Sequence, residues 1–160
     1  MTTTIHFDKR WFMPLMDGTK CMTRRPVIDA PSNSACDAIE TLDGWSVRQH
    51  TQRGIETVWS GQCPVGKVGD AITLTTLNAS VDTFSIDAII TNVRLERVQQ
   101  ISILDCIREG WTKQTDQSPR LWFRDAWNHH YPADHPGSWD NDPFVWVIQW
   151  NCVPAVRLSA

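Results

Sequence analysis

FSIDAIITNVRLERVQQISILDCIREGW, residues 84–111, passes from one hydrophobic period to another, and the change sets the class of the fold. Ile86, Ala88 and Ile90 occupy every second position, the period of a strand with one buried face. The alternation resumes out of phase at Val93 and Leu95, which predicts a β-bulge between Ile90 and Val93. Ser102 then offers a helix N-cap, Asp105 a partial capping box, and Gly110 a stop. With Ile103, Cys106 and Ile107 on one face, the pattern predicts a helix over 103–109.

On the N-terminal side, TTTIHF reads as a strand at 3–7, and Asp8 can cap a helix carrying Trp11, Phe12, Leu15 and Met16 up to Gly18. Pro14 requires that helix to be short, kinked or late in starting. KCMTRRPVI reads as a strand ended by Pro26. Residues 29–62 read as a decoration rather than a core element, with a loop-like DAPSNSACD and a hairpin turning at Gly54. CPVGKVGD, residues 63–70, is a turn before the strand AITLTTL; it lacks the spacing of a phosphate-binding P-loop. On the C-terminal side, LWFRDAWNHHY predicts a helix over 120–130, and FVWVIQWNCV a final strand over 144–153. Five to seven strands with two or three short helices make an α+β, barrel-like single domain spanning 1–160, with an insertion at about 29–62.

Composition narrows the function classes. No apolar run approaches the roughly 18 residues of a membrane span, and the N-terminus has no secretory pattern, so the expected setting is the cytoplasm, without a membrane partner. Cys21, Cys36, Cys63, Cys106 and Cys152 form no C-x-x-C pair and are expected to be reduced, mostly buried thiols. A formal charge of −3 argues against broad electrostatic binding of nucleic acid. The basic residues Lys9, Arg10, Lys20, Arg24 and Arg25 nevertheless outnumber Asp8 and Asp17 in the first 27 residues, so an anion would be met there. Nine tryptophans are an excess best explained by core filling, with stacking on a base as the alternative for one or two of them. His129, His130 and His135 lie near several aspartates but lack the i, i+4 ligand spacing of a metal helix, so neither metal nor other cofactor is expected.

Five segments in this order, DGTKCMTRRP, CPVGKVGD, ISILDCIREGW, LWFRDAWN and WDNDPFVWVIQW, resemble the ASCH domain of the PUA-like superfamily, in the version carried by bacteriophages and prophages. The resemblance spans nearly the whole chain apart from 29–62. It implies a PUA-like mixed β-barrel with a cleft beside the first helix that binds RNA or a modified nucleotide, in a bacterial host cell. One branch of that superfamily hydrolyses acetylcytidine with a K-x-x-T pair and a later glutamate. On those positions the resemblance implies Lys20, Thr23 and Glu109 as catalytic residues of an amidohydrolase. This chain departs from that branch in the proline after TRR, the 29–62 insertion and the Trp-rich third helix.

Amide hydrolysis needs a nucleophile, a base and an acid, here Thr23, Lys20 and Glu109 in turn. On a regular strand Lys20 and Thr23 point to opposite faces, so they meet only if the backbone bends between them. Alternation puts Arg25 on the face of Thr23 and Arg24 on that of Lys20, and either guanidinium can fork onto a phosphate or a base edge. Lys20, Arg24 and Arg25 are therefore the candidate nucleic-acid-binding residues. Two other readings stand beside these: a plain Lys20–Glu109 ion pair with solvated arginines, and a protein-interaction role for a Trp-rich surface.

Overall fold

A computed structural model describes residues 2–77 and 84–153. In chain order the elements are β1 (Thr3–Asp8), α1 (Phe12–Met16), β2 (Met22–Pro26), β3 (Cys36–Thr41), β4 (Gly44–Thr51), β5 (Gly54–Gly61), β6 (Ala71–Leu77), β7 (Ser85–Arg97), α2 (Ile103–Arg108), α3 (Pro119–His130) and β8 (Phe144–Cys152). The fold is α+β, with a five-stranded sheet curled into a half-barrel, in the order β1-β6-β7-β8-β2, and a three-stranded sheet β3-β4-β5. The strands therefore number eight among the described residues, above the expected range. The addition is β3, hidden in a polar segment. No helix among the described residues is long and apolar enough to cross a membrane.

β8 lies inside the larger sheet, antiparallel to β7 on one side and to the edge strand β2 on the other. Its near-continuous apolar run is explained by burial on both faces. Phe144, Trp146, Ile148 and Trp150 join one apolar cluster with Ile5, Phe7, Leu15, Ile72 and Leu74. Val145 and Val147 join a second, with Met22, Val98, Cys106, Phe123 and Trp127. The expected bulge is present as a register shift between Ile90 and Asn92, and it returns Val93 and Leu95 to the face of Ile90.

Segment 29–62 is not a decoration. Ala30, Cys36 and Val47 are buried in the larger cluster, and the Trp59 ring lies 6.1 Å from that of Trp146. Arg97, at the end of β7, explains why the polar stretch before β3 is ordered: its guanidinium donates to the carbonyls of Ser32, Asn33, Cys36 and Asp142. The cysteines also depart from expectation. Only Cys36 and Cys106 are buried, and Cys152 is exposed, all five being free thiols.

Two local results set up the site. Asp8 accepts from the Arg10 backbone N–H at 3.0 Å and starts a single 3-10 turn, so α1 begins only at Phe12 and Pro14 falls in its first turn. α2 is capped by Ser102, whose hydroxyl accepts from Asp105 N–H at 3.1 Å, but it is rotated from the expected face. Asp105, Cys106 and Glu109 point inward, whereas Ile103, Leu104 and Ile107 are exposed.

Candidate functional site

Gly18, at φ 79°, turns the chain out of α1, and Lys20 N–H then donates to Pro14 O at 2.9 Å. Cys21 bonds Arg108 O on one side and receives Trp150 N–H on the other, which pins this link between the end of α2 and β8. Lys20 thus precedes β2 and escapes strand alternation. Its side chain is only 3% exposed and folds back, donating to Met22 O at 2.9 Å, Glu109 O at 3.0 Å and Glu109 Oε2 at 3.0 Å. Phe7 and Trp11 cover it, their ring centroids 5.6 and 4.4 Å from Nζ.

Arg24 is likewise buried. Nη1 donates to Glu109 Oε1 at 2.9 Å and to the Met22 sulfur, while Nη2 donates to Glu96 at 2.7 Å and Asp105 at 2.8 Å. Arg94 and Arg108 add further contacts to Asp105, and Arg94 reaches Glu96. Four cations, Lys20, Arg24, Arg94 and Arg108, therefore surround three carboxylates, Glu96, Asp105 and Glu109; the buried members balance, Lys20 and Arg24 against Asp105 and Glu109, while Arg94 and Arg108 are partly exposed. The rotation of α2 follows from this arrangement. Asp105 and Glu109, one helical turn apart, must face inward to satisfy Lys20 and Arg24, since a buried charge without a partner costs far more than an exposed isoleucine.

These contacts also set the titration of the site. Burial pushes the Lys20 ammonium below the ordinary lysine range, with Glu109 opposing and Arg25 and Arg24 adding to the fall. Burial likewise opposes charge on Arg24, but Glu109, Glu96 and Asp105 outweigh it and the guanidinium is held more firmly protonated than usual. Burial pushes the neighbouring Cys106 thiol up to about 11, so it is no nucleophile at neutral pH.

Above this network lies an open cavity of about 130 Å³ between β1, β2 and α3. Lys20, Thr23, Arg24, Arg25 and Glu109 all border it, so every candidate site residue borders one space. They are not equivalent in it. Arg24 has both Nη groups committed to carboxylates, and its buried Nε is without a partner among the described residues. Lys20 has all three donors in use, none of them on Thr23. Arg25 differs, being half-buried, stacked 5.5 Å over the Phe7 ring, with a single donated bond, Nη2 to His6 O at 3.2 Å.

The walls come mainly from residues that sequence reading did not place in the site. Trp122, Phe123, Trp127 and Tyr131 enter from α3 and its end, facing Phe7 and Trp11. Trp11 meets Trp122 edge to face, with centroids 6.1 Å apart. Arg10 and His130 complete the mouth: Arg10 lies 5.4 Å over the Trp11 ring and its Nη2 reaches His130 Nε2 at 2.6 Å. The stacking alternative for some tryptophans and the basic excess in the first 27 residues were the available signals. Of the nine tryptophans, Trp127, Trp146 and Trp150 are buried and the other six are half-buried.

No family model matches the chain, and no curated protein matches it. Among solved structures it resembles protein EF3133 from Enterococcus faecalis V583, of the family DUF984, at a TM-score of 0.55 and 11% identity, over 96% of this chain and 80% of that one. At that identity the likeness concerns the fold.

Proposed function

We propose that the cavity binds one base of an RNA or of a modified nucleotide. The observation that carries this reading is the joining of aromatic walls from Phe7, Trp11, Trp122 and Tyr131 to the cation Arg25 in one open space. Aromatic faces accept any base by stacking, and a guanidinium held on a ring supplies a fixed donor fork. The buried ion network acts as a rigid floor that fixes the position of Trp11 through Lys20.

Tryptophan fluorescence tests it directly, since three indoles line the cavity. Titration with the four ribonucleosides, their 5′-monophosphates and N4-acetylcytidine is expected to quench emission. Trp122→Ala should weaken binding by about 1–3 kcal/mol, the range for losing one stacking partner. No quenching by any of these probes at millimolar concentration overturns the reading.

A second reading, amide hydrolysis of an acylated base, draws on the approach of Lys20, Thr23 and Glu109 to the same cavity. Thr23 Oγ1 would attack the acyl carbon, the C–N bond would break with a proton passing to the amine, and water would then cleave the resulting ester. Lys20 must first surrender one of its three donated protons, and the Glu109 carboxylate already accepts from two cations. These demands place hydrolysis behind binding. Release of cytidine and acetate from N4-acetylcytidine, abolished by Thr23→Ala, would reverse that order.

A further inference from the structure

We propose that Arg10, Arg25 and His130 at the cavity mouth form a phosphate subsite, so that the ligand is a single unpaired base still attached to its phosphate, and not a free base or nucleoside. The proposal rests on the base-binding reading above and adds to it which part of a nucleotide stays outside. A cavity of about 130 Å³ is near the size of an engineered apolar cavity of roughly 150 Å³ that takes one benzene, so it admits a ring and little more. Sugar and phosphate must then lie at the mouth. Stacked or paired neighbours cannot follow the base in, which requires an unpaired strand or a mononucleotide.

The mouth has the chemistry for an anion. Arg25 and Arg10 are each seated on a ring of the cavity, Phe7 and Trp11 respectively, which orients their forks without consuming donors. Asp8 is the carboxylate beside them, and its Oδ1 is already engaged by the Arg10 backbone N–H. With neutral His130, the charged groups Arg10, Arg25 and Asp8 leave a positive mouth in a chain whose overall charge is −3. Neither arginine belongs to the buried ion network, so either can turn toward a ligand while the floor stays intact.

His130 makes the subsite pH-dependent. Its Nε2 receives the Arg10 N–H, which defines a neutral ring while the mouth is empty. Burial holds its pKa below the ordinary histidine value, and Arg10, His129 and Arg25 lower it further against the pull of Asp8. Tyr131 is a further titratable neighbour, with ring centroids 6.4 Å apart, and His6 borders the same cavity from β1. A phosphate that draws Arg10 away frees Nε2 and favours the imidazolium, so binding takes up a proton. Affinity for a phosphodiester, whose own charge is constant across this range, rises as pH falls from 8 to 5.

The test compares each ribonucleoside with its 5′-monophosphate and with a short single-stranded oligoribonucleotide, by calorimetry on the whole chain. Inorganic phosphate is titrated in parallel while the His130 ring is followed by NMR. The monophosphate is expected to bind at least tenfold more tightly than the nucleoside, with the ratio collapsing toward one in Arg10→Ala and Arg25→Ala. His130→Gln should remove the pH dependence, a readout that loss of folding would not mimic. Equal binding of nucleoside and nucleotide overturns the subsite and leaves base binding standing. Binding of inorganic phosphate alone, with no nucleoside or nucleotide bound, overturns base binding and with it this proposal.

Discussion

Arg24→Ala is expected to lower stability by about 3–5 kcal/mol, the range for removing one partner from a buried charge cluster. For a chain of this size that is a fall in melting temperature of roughly 6–20 °C. The reason lies in what the arginine separates. Its guanidinium stands between Glu96, Asp105 and Glu109, and without it Asp105 keeps Arg94 and Arg108 while Glu109 keeps only Lys20. Arg24→Lys should recover little, because a single ammonium cannot replace a planar fork that contacts three carboxylates and the Met22 sulfur. Urea unfolding at neutral pH measures the loss. A decrease under about 1 kcal/mol, the usual range for exposed pairs, would mean that water enters and screens the network.

That network also marks where sequence reading reaches its limit. Periodicity carries the information for β8, for the bulge at Ile90–Asn92 and for the Ser102 cap, because each is decided by neighbours a few positions away. The rotation of α2 is decided by Lys20 and Arg24, more than 80 residues distant, which turn Asp105 and Glu109 inward against the apolar pattern of Ile103 and Ile107. β3 is hidden for the same kind of reason, since Arg97 orders its polar approach from across the chain. Within the site, Lys20, Thr23 and Glu109 were identified through resemblance and do border one cavity, yet Arg24 serves carboxylates and not a ligand. The pairing of Arg10 with His130 spans 120 positions and leaves no local trace. Asp105 in α2 and Glu109 at its C-cap, spaced i and i+4, were the readable hint of a buried ionic face.

Gly110→Ala should damage both fold and site through one contact. Gly110 has φ 118°, where a side chain is strained by about 1–3 kcal/mol, and an added Cβ would lie 2.7 Å from Cζ3 of Trp11. Overpacking against that ring adds roughly 1–3 kcal/mol, unless Trp11 moves. If it moves, it leaves the Lys20 ammonium 4.4 Å below it and the edge-to-face contact with Trp122, and the aromatic wall opens. Gly18→Ala separates the two effects: its φ is 79°, but a Cβ there meets nothing within 4 Å, so it carries backbone strain alone. Both variants should lose stability in urea, Gly110→Ala by about twice as much. Only Gly110→Ala should change the near-ultraviolet circular dichroism of the Trp11–Trp122 pair and weaken nucleotide-induced quenching. An unchanged spectrum in Gly110→Ala would mean that α2 yields instead of the indole, and ligand binding should then survive the substitution.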